Sequence, residues 1–447
     1  MATKPEEAVR HTPPVDAAAP LPDLGSERIS GARFHSREWM DLEWTRMWRR
    51  VWNMACRESD LPEPGDTFTY SLGKESFVFV RGHDRRIRGF YNVCQHRGNR
   101  LVLNGEGCGH VEAFQCGYHG WQWNIEGVLQ HIPDVETYPQ FRGGVPAHAL
   151  GMEPVETDIW AGWVFFRMEP GGESLLEFLD PLPAHLDAYE IGKWDIVDYK
   201  TFEWACNWKA ACDAFNESYH FQALHPQMMQ WANGMAVVEL LGIHSRMVNE
   251  YGTADPRYPD QEKPGPELQV YMGMRGMVPD PGWTPKDVRL EIQRQKRGVQ
   301  DVVTYLPYRN MHDAQLSDVY HYTLFPNVSW NVTSESITGF RYRPHPTDPN
   351  LCYYDLIIMA HYPPGAPKPE YTHRVIPKDK LPRHYRDVLD MDLNPIISKV
   401  LEQDGANLGA VQQGLSSDGF RGMVLCDQEL RVRLFHNVLA DYVEGRR

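Results

Sequence analysis

The chain has few cysteines. Eight occur in 447 residues, scattered without regular spacing, so no disulfide framework is implied. No run of 18 apolar residues exists, which leaves no membrane-spanning helix to expect. The opening residues show no basic region followed by an apolar run, so no secretory signal is expected. Reduced thiols suit a cytoplasmic setting. Positive charge is also in deficit: 45 Lys and Arg stand against 60 Asp and Glu, a net charge of -15. Such a surface disfavours nucleic acid and anionic membrane as partners and is compatible with docking a basic protein. No G-x-G-x-x-G follows a strand, so the chain lacks a dinucleotide site of its own. No internal repeat is visible. The length exceeds what one core usually supports, which points to two domains.

Periodicity divides the chain further. Residues 1–35, rich in Pro, Ala and Glu, read as a flexible arm. Residues 38–54, with Trp44, Trp48, Val51 and Trp52 among charges, read as an amphipathic helix. From residue 66 the period becomes two, and 66–168 reads as a small all-β module. The expected domains are 36–175 and 176–447. The second has mixed character: a helix over 208–225, strands at 201–204, 288–293, 317–325, 329–332, 337–343 and 351–361, and helix again over 388–414 and toward 443. About seven strands in one sheet would be ordinary.

The chemistry is concentrated between residues 94 and 119. The chain reads Cys94-Gln95-His96-Arg97-Gly98 and then Gln115-Cys116-Gly117-Tyr118-His119-Gly120-Trp121. A Cys-x-His and a Cys-x-x-His supply two thiolates and two imidazoles, the ligand set of a Rieske [2Fe-2S] cluster. A zinc knuckle is the rival, and buried thiols with core histidines the plainer alternative. Cys108 and His110 repeat the first spacing, but only five residues separate His110 from Cys116. That is little chain for two loops that must approach a cluster from opposite sides, so both are left as loop residues. Trp121 is expected to shield the centre.

A second metal is suggested by His220 and His225. Five residues apart, they would diverge by about 140° on an ideal helix, so a break is needed, and Pro226 marks one. An anionic ligand would have to come from elsewhere. Glu402-Gln403-Asp404-Gly405 is a candidate that spacing alone does not establish.

Taken together, these motifs resemble the catalytic (alpha) subunit of the Rieske non-heme iron oxygenases, the aromatic-ring-hydroxylating family. The likeness runs through Tyr91-Asn92, the two Cys/His pairs, Asn207-Trp208-Lys209, Glu217-Ser218-Tyr219-His220, His225-Pro226, Phe325-Pro326-Asn327, and Glu402 to Gln412. It implies an α+β fold: an all-β Rieske domain followed by a helix-grip-like catalytic domain with an antiparallel sheet. It implies Cys94, His96, Cys116 and His119 as cluster ligands, His220, His225 and Asp404 as ligands of a mononuclear Fe(II), and Glu217 and Asn207 as catalytic residues. It also implies O2 and a small molecule as substrates, NAD(P)H electrons through a separate reductase with or without a ferredoxin, a homotrimer in which one subunit's cluster serves the neighbour's iron, and in some members a small beta subunit.

Two departures stand out. Nineteen residues separate His96 from Cys116, more than the family's usual gap. Glu217 occupies a position where ring-dihydroxylating members carry aspartate; there the chain resembles monooxygenases of quaternary amines. Asp213-Ala214 also differs from the Glu-Asn common in the family.

An aromatic or other apolar substrate is the first expectation, with Met228, Met229 and Trp231 as cavity walls. An aromatic cage for a quaternary amine is the alternative. Arg341, Arg343 or His312 would be the residues to pair a substrate carboxylate, against a structural role for each. An electron carrier fused to an inert domain and a zinc-bound structural protein are the rival classes.

Overall fold

The computed structural model describes residues 12–13, 20–103, 105–278, 280–299, 307–363, 365–391 and 395–447. It divides into two compact units, one of Asp41–Phe178 with His345–Thr347, the other of Met1–Met40, Leu179–Pro344 and Asp348–Arg447.

The first unit is built of short strands: β1 (Asn53–Arg57), β2 (Asp66–Leu72), β3 (Glu75–Arg81), β4 (Ile87–Tyr91), β5 (Gly107–His110), β6 (Phe114–Gln115), β7 (Gln122–Trp123), β8 (Leu129–His131), β9 (Pro154–Trp160) and β10 (Trp163–Arg167). Seven form an antiparallel sheet ordered β1-β10-β9-β4-β3-β2-β5, and β6-β7-β8 form a second, three-stranded sheet. The helix read over 38–54 is shorter. It spans Arg37–Glu43 and continues as a π turn over Trp44–Trp48, and Asn53 and Met54 already belong to β1. Cys108 and His110, left as loop residues, belong to a strand: β5 pairs with β2 in the register Asp66↔His110.

In the second unit eight strands make one sheet, introduced in chain order as β11 (Asp195–Trp204), β12 (Val237–Leu241), β13 (His244–Asn249), β14 (Val319–Leu324), β15 (Val328–Val332), β16 (Ser336–Pro344), β17 (Cys352–Ala360) and β18 (Arg374–Ile376). Their order is β12-β13-β14-β15-β16-β17-β11-β18. All neighbours are antiparallel except β11 and β18. Arg341 lies opposite Asp355 in the β16–β17 register. Both Arg341 and Arg343 donate to that buried carboxylate, at 2.7 and 2.9 Å. This pairing holds Asp355 well below the usual carboxylate range despite its burial and gives both arginines a structural role.

Residues 288–293, read as strand, belong to the helix Pro285–Val299. The alternation Val288-Arg-Leu-Glu-Ile292 fits both periods. Val288 and Ile292 are buried while Leu290 is half exposed, the pattern of a helix face. The described part of the N-terminal arm packs on its own unit: Ile29 bridges to Met423, and Phe34 is fully buried. No helix among the described residues is long and apolar enough to cross a membrane.

Candidate metal sites

In the first unit, two loops are built to the same plan. Cys94 donates its backbone N–H to Asn99 O at 2.7 Å, and Gly98 N–H returns to Cys94 O at 3.0 Å. Cys116 donates to Trp121 O at 2.9 Å, and Gly120 N–H returns to Cys116 O at 3.0 Å. Gly98 and Gly120 both have φ +75°, a conformation costly for any residue with a Cβ. The loops bring the four expected residues together. The His96 and His119 rings lie 4.6 Å apart. Asn99 Nδ2 lies 3.8 Å from Cys116 Sγ. Trp121 stacks on His96 at 5.0 Å, nearly parallel.

Burial pushes the Cys94 thiol up. Burial works the same way at Cys116, but the backbone N–H groups of Tyr118 and His119, with Cys94 and Asn99, bring that thiol below its ordinary value. The buried Nδ1 of His96 has no hydrogen-bond partner. An unpartnered imidazole nitrogen beside two facing thiols fits a cluster with mixed ligands. Cys108 is exposed, and His110 Nδ1 pairs with Asp66 at 2.8 Å, so neither joins the four.

The second unit resolves the divergence of His220 and His225. The expected single helix is two: Trp208–Phe215 and Phe221–Leu224. Between them Asn216 terminates the first helix and Ser218 Oγ donates to Gly234 O at 2.8 Å. Pro226, lacking an N–H, stops the second. The break turns both rings toward Asp404, which arrives on the helix Pro395–Leu415. One ligand atom from each of the three residues lies within 4.8 Å of the others. His225 Nε2 is 2.9 Å and His220 Nε2 3.8 Å from Asp404 Oδ1.

Each ring is fixed from behind. His220 Nδ1 meets Glu217 Oε1 at 2.6 Å, and Glu217 Oε2 also accepts the His220 backbone N–H at 3.1 Å. His225 Nδ1 meets Gln403 Oε1 at 2.9 Å. The orientation of Gln403 is set because its Nε2 donates to Leu224 O at 2.7 Å. An imidazole facing a carboxamide oxygen must donate, so His225 Nδ1 carries a proton toward Gln403 and Nε2 is the nitrogen that faces the Asp404 carboxylate. Two ring nitrogens converging on one carboxylate fit the donor set of a shared cation. Burial opposes charge on His220, yet Glu217 and Asp404 carry its pKa above the ordinary value.

Gln403 carries a role that the sequence did not reveal; its position one residue before Asp404 was the only signal. Asn207, expected as a catalytic residue, lies at a helix start. It caps the helix Trp208–Phe215 by accepting from Lys209 N–H at 3.0 Å, and its Nδ2 donates to Pro349 O at 2.7 Å. Its side-chain polar atoms are committed to backbone groups.

Beside the three residues lies a cavity of about 330 Å³. Met228 and Trp231 line it as expected; Met229 does not. Phe215, Phe221, Met247 and Phe340 complete much of the apolar wall. A second, more open hollow of about 480 Å³ reaches Glu217, His220 and Asp404 from another side, past Leu408, Val411 and Val424.

Comparison with known proteins agrees with this geometry. Residues 191–445 match the family described as ring hydroxylating alpha subunit (catalytic domain). The chain belongs to this family. Residues 51–142 match the Rieske [2Fe-2S] domain. The oxygenase subunit of carnitine monooxygenase from Escherichia coli (strain K12) is 32% identical over 198 residues, 44% of this chain and 51% of that subunit. The chain therefore spans about half the length of that relative. Biphenyl dioxygenase subunit alpha of Paraburkholderia xenovorans (strain LB400) is 27% identical over 362 residues, 75% of this chain and 72% of that one. A solved structure of naphthalene 1,2-dioxygenase with indole bound superposes with a TM-score of 0.65 at 18% identity, covering 94% of this chain and 92% of the other, which shows the shared fold. A Rieske unit followed by a ring-hydroxylating catalytic unit is thus the architecture of this family member.

Proposed function

We propose that this family member is the oxygenase component of a Rieske non-heme iron system acting on an aromatic or other apolar small molecule. The observation that carries the reading is the convergence of His220, His225 and Asp404 at the edge of a largely apolar cavity, in a chain that also carries the paired Cys/His loops. Two histidines and one carboxylate, with other positions open, are the ligand set of non-heme Fe(II) oxygenases. When bound, the cluster would supply electrons singly and the mononuclear iron would supply O2 activation.

The chain's own residues account for the rest. Cys94 and Cys116 would hold one cluster iron, His96 and His119 the other. Glu217 and Gln403 keep the Nδ1 side of each imidazole occupied, so that Nε2 is presented to the metal. Phe221, Met228 and Trp231 exclude water from the cavity beside it. The open hollow that reaches Glu217 is the surface from which a second copy of this chain would deliver electrons, in a homotrimer served by a separate NAD(P)H reductase with or without a ferredoxin.

Glu217 and the carnitine monooxygenase relative favour a second reading, monooxygenation of a quaternary amine. One experiment tests both. Purified protein should be red-brown, with a Rieske-type EPR signal and about three irons per chain. Supplied with a generic reductase, NADH and ¹⁸O2, it should consume a compound from an aromatic or quaternary-amine panel. Two labelled oxygens in an arene mark dioxygenation, and one in an amine substrate marks the second reading. A colourless protein without iron would end both.

A further inference from the structure

The cavity beside the three metal-facing residues extends along the β15–β16 hairpin. Phe340 of β16 packs on Phe215 at 4.5 Å, close to the Glu217–His220 turn. Glu335, at the hairpin bend, lines the same cavity. Four residues, Ser336 to Gly339, lie between the two, and the five steps along the chain amount to about 16 Å of rise. The wall between is mostly apolar, with Met247, Trp231 and Ile358.

At the Glu335 end the chemistry changes. The Glu335 carboxylate receives Lys296 Nζ at 3.1 Å, Arg275 Nη2 at 3.6 Å and the Tyr308 hydroxyl at 2.8 Å. Lys296 also donates to Ser334 Oγ at 2.7 Å. Burial brings Lys296 down to about 8, with Glu335 opposing that fall and the neighbouring Arg275 adding to it. The nearby Asp318 is already matched by Arg289 at 2.6 Å. Arg289 is shared between Asp318 and Glu250, and two cations therefore share the Glu335 carboxylate, whose side chain is 41% accessible. Of the two, Arg275 is the less committed. It lines the cavity, its side chain is 26% accessible, it lies over Tyr271 at 4.9 Å, and its Nε has no hydrogen-bond partner. Arg341 and Arg343 are bound to Asp355, and His312 caps the helix Asp313–Ser317.

We propose that Arg275 is a specificity-determining residue whose guanidinium anchors a substrate carboxylate, so that the substrate is an amphipathic carboxylic acid lying along the cavity with its apolar or alkylammonium end at His220, His225 and Asp404. A guanidinium matches a carboxylate in shape as well as charge. The anion gives the Arg275–Lys296–Glu335 cluster a second carboxylate, and the distance along β16 places the oxidisable end of the molecule away from its acid group. This deepens the oxygenase reading and rests on it for the identity of the reacting end.

Binding without turnover tests it. The holoprotein, kept anaerobic and without reductase, is titrated with 4-phenylbutyrate, its primary amide and γ-butyrobetaine while tryptophan fluorescence is followed; Trp231 lines the cavity. The two acids carry the same carboxylate on the same three-carbon chain, so the one that binds distinguishes an aromatic from a quaternary-ammonium body. An acid should bind at least tenfold more tightly than the neutral amide. Arg275→Gln should abolish that preference, weakening the acid 10- to 100-fold and leaving the amide unchanged, with Arg275→Lys between. Glu335 keeps Lys296 and Tyr308 in these variants, and unchanged melting temperature and Rieske EPR signal show that the fold is intact. Equal affinity for acid and amide, equal weakening of both by Arg275→Gln, or no binding of either acid overturns the proposal. None of these outcomes bears on iron content or ¹⁸O2 incorporation, so the oxygenase reading fails or survives separately.

Discussion

The two candidate metal regions hold the residues proposed as ligands by different means. Around Cys94 and Cys116 the scaffold is backbone: each cysteine closes a five-residue loop through its own N–H and C=O, and two glycines at φ +75° make the loops possible. Around His220 and His225 the scaffold is side chains: Glu217 and Gln403 each hold an imidazole from behind, and Asp404 reaches in from a helix some 180 positions away in the chain. A backbone-built site tolerates changes in its surroundings as long as the loops survive. A site built from side chains depends on each one, because rotating a single imidazole removes a ligand.

The largest effects break one region and spare the other. Asp404→Ala should leave a red-brown protein with about two irons per chain and no turnover, whereas Cys116→Ala should leave a colourless one with about one. Iron analysis with EPR separates the two. Joint loss of all iron in either variant would show that the regions do not fold and load independently.

Next come the side chains behind the histidines. Glu217→Gln should retain the Rieske signal and lower product formation 10- to 100-fold, and Gln403→Leu should weaken mononuclear iron retention by a similar factor. Turnover that is unchanged in Glu217→Gln, or unchanged iron in Gln403→Leu, would mean that the rings are held by packing alone. Gly405 adds a backbone element to this region. A Cβ there would run into the Tyr385 hydroxyl, so a larger residue beside Asp404 would displace the helix that carries it.

The same contrast explains what was legible in the chain. All four cluster residues lie within 26 positions, and their spacing alone suggested the ligand set. Cys108 and His110, set aside on spacing, lie on β5 paired with β2 at the sheet edge. The mononuclear site was harder. Residues 208–225 have few helix breakers, so the break at 216–220 is set by tertiary contacts such as Ser218 with Gly234, and Asp404 entered only through family likeness. Arg275 left no signal, since a lone arginine after a helix acquires meaning only when Glu335, 60 residues on, faces it. Strands β12 and β13 were missed because β12 is half-buried along most of its length and β13 is buried at every position, so neither shows a period of two.

Asn207 tests the boundary between scaffold and chemistry. Removing a helix N-cap costs about 0.5–2 kcal/mol, so Asn207→Ala should lower the melting temperature and keep both metals and most of the turnover. Loss of turnover at unchanged stability would support the catalytic role that the family likeness implied.

The smallest expected effect lies in the backbone-built region. Trp121 lies nearly parallel to His96 and points its Nε1 at the Tyr138 hydroxyl, 3.4 Å away. Trp121→Phe keeps a ring beside His96 but loses the donor and some area. If the two glycine loops carry the cluster, this variant should keep its full iron content, lose about 1 kcal/mol, and melt about 2–4 °C lower. Its Rieske EPR signal should change only slightly, through altered packing on one imidazole. Loss of the cluster in Trp121→Phe would place its support in side-chain packing, as at the mononuclear site, and would remove the distinction between the two regions.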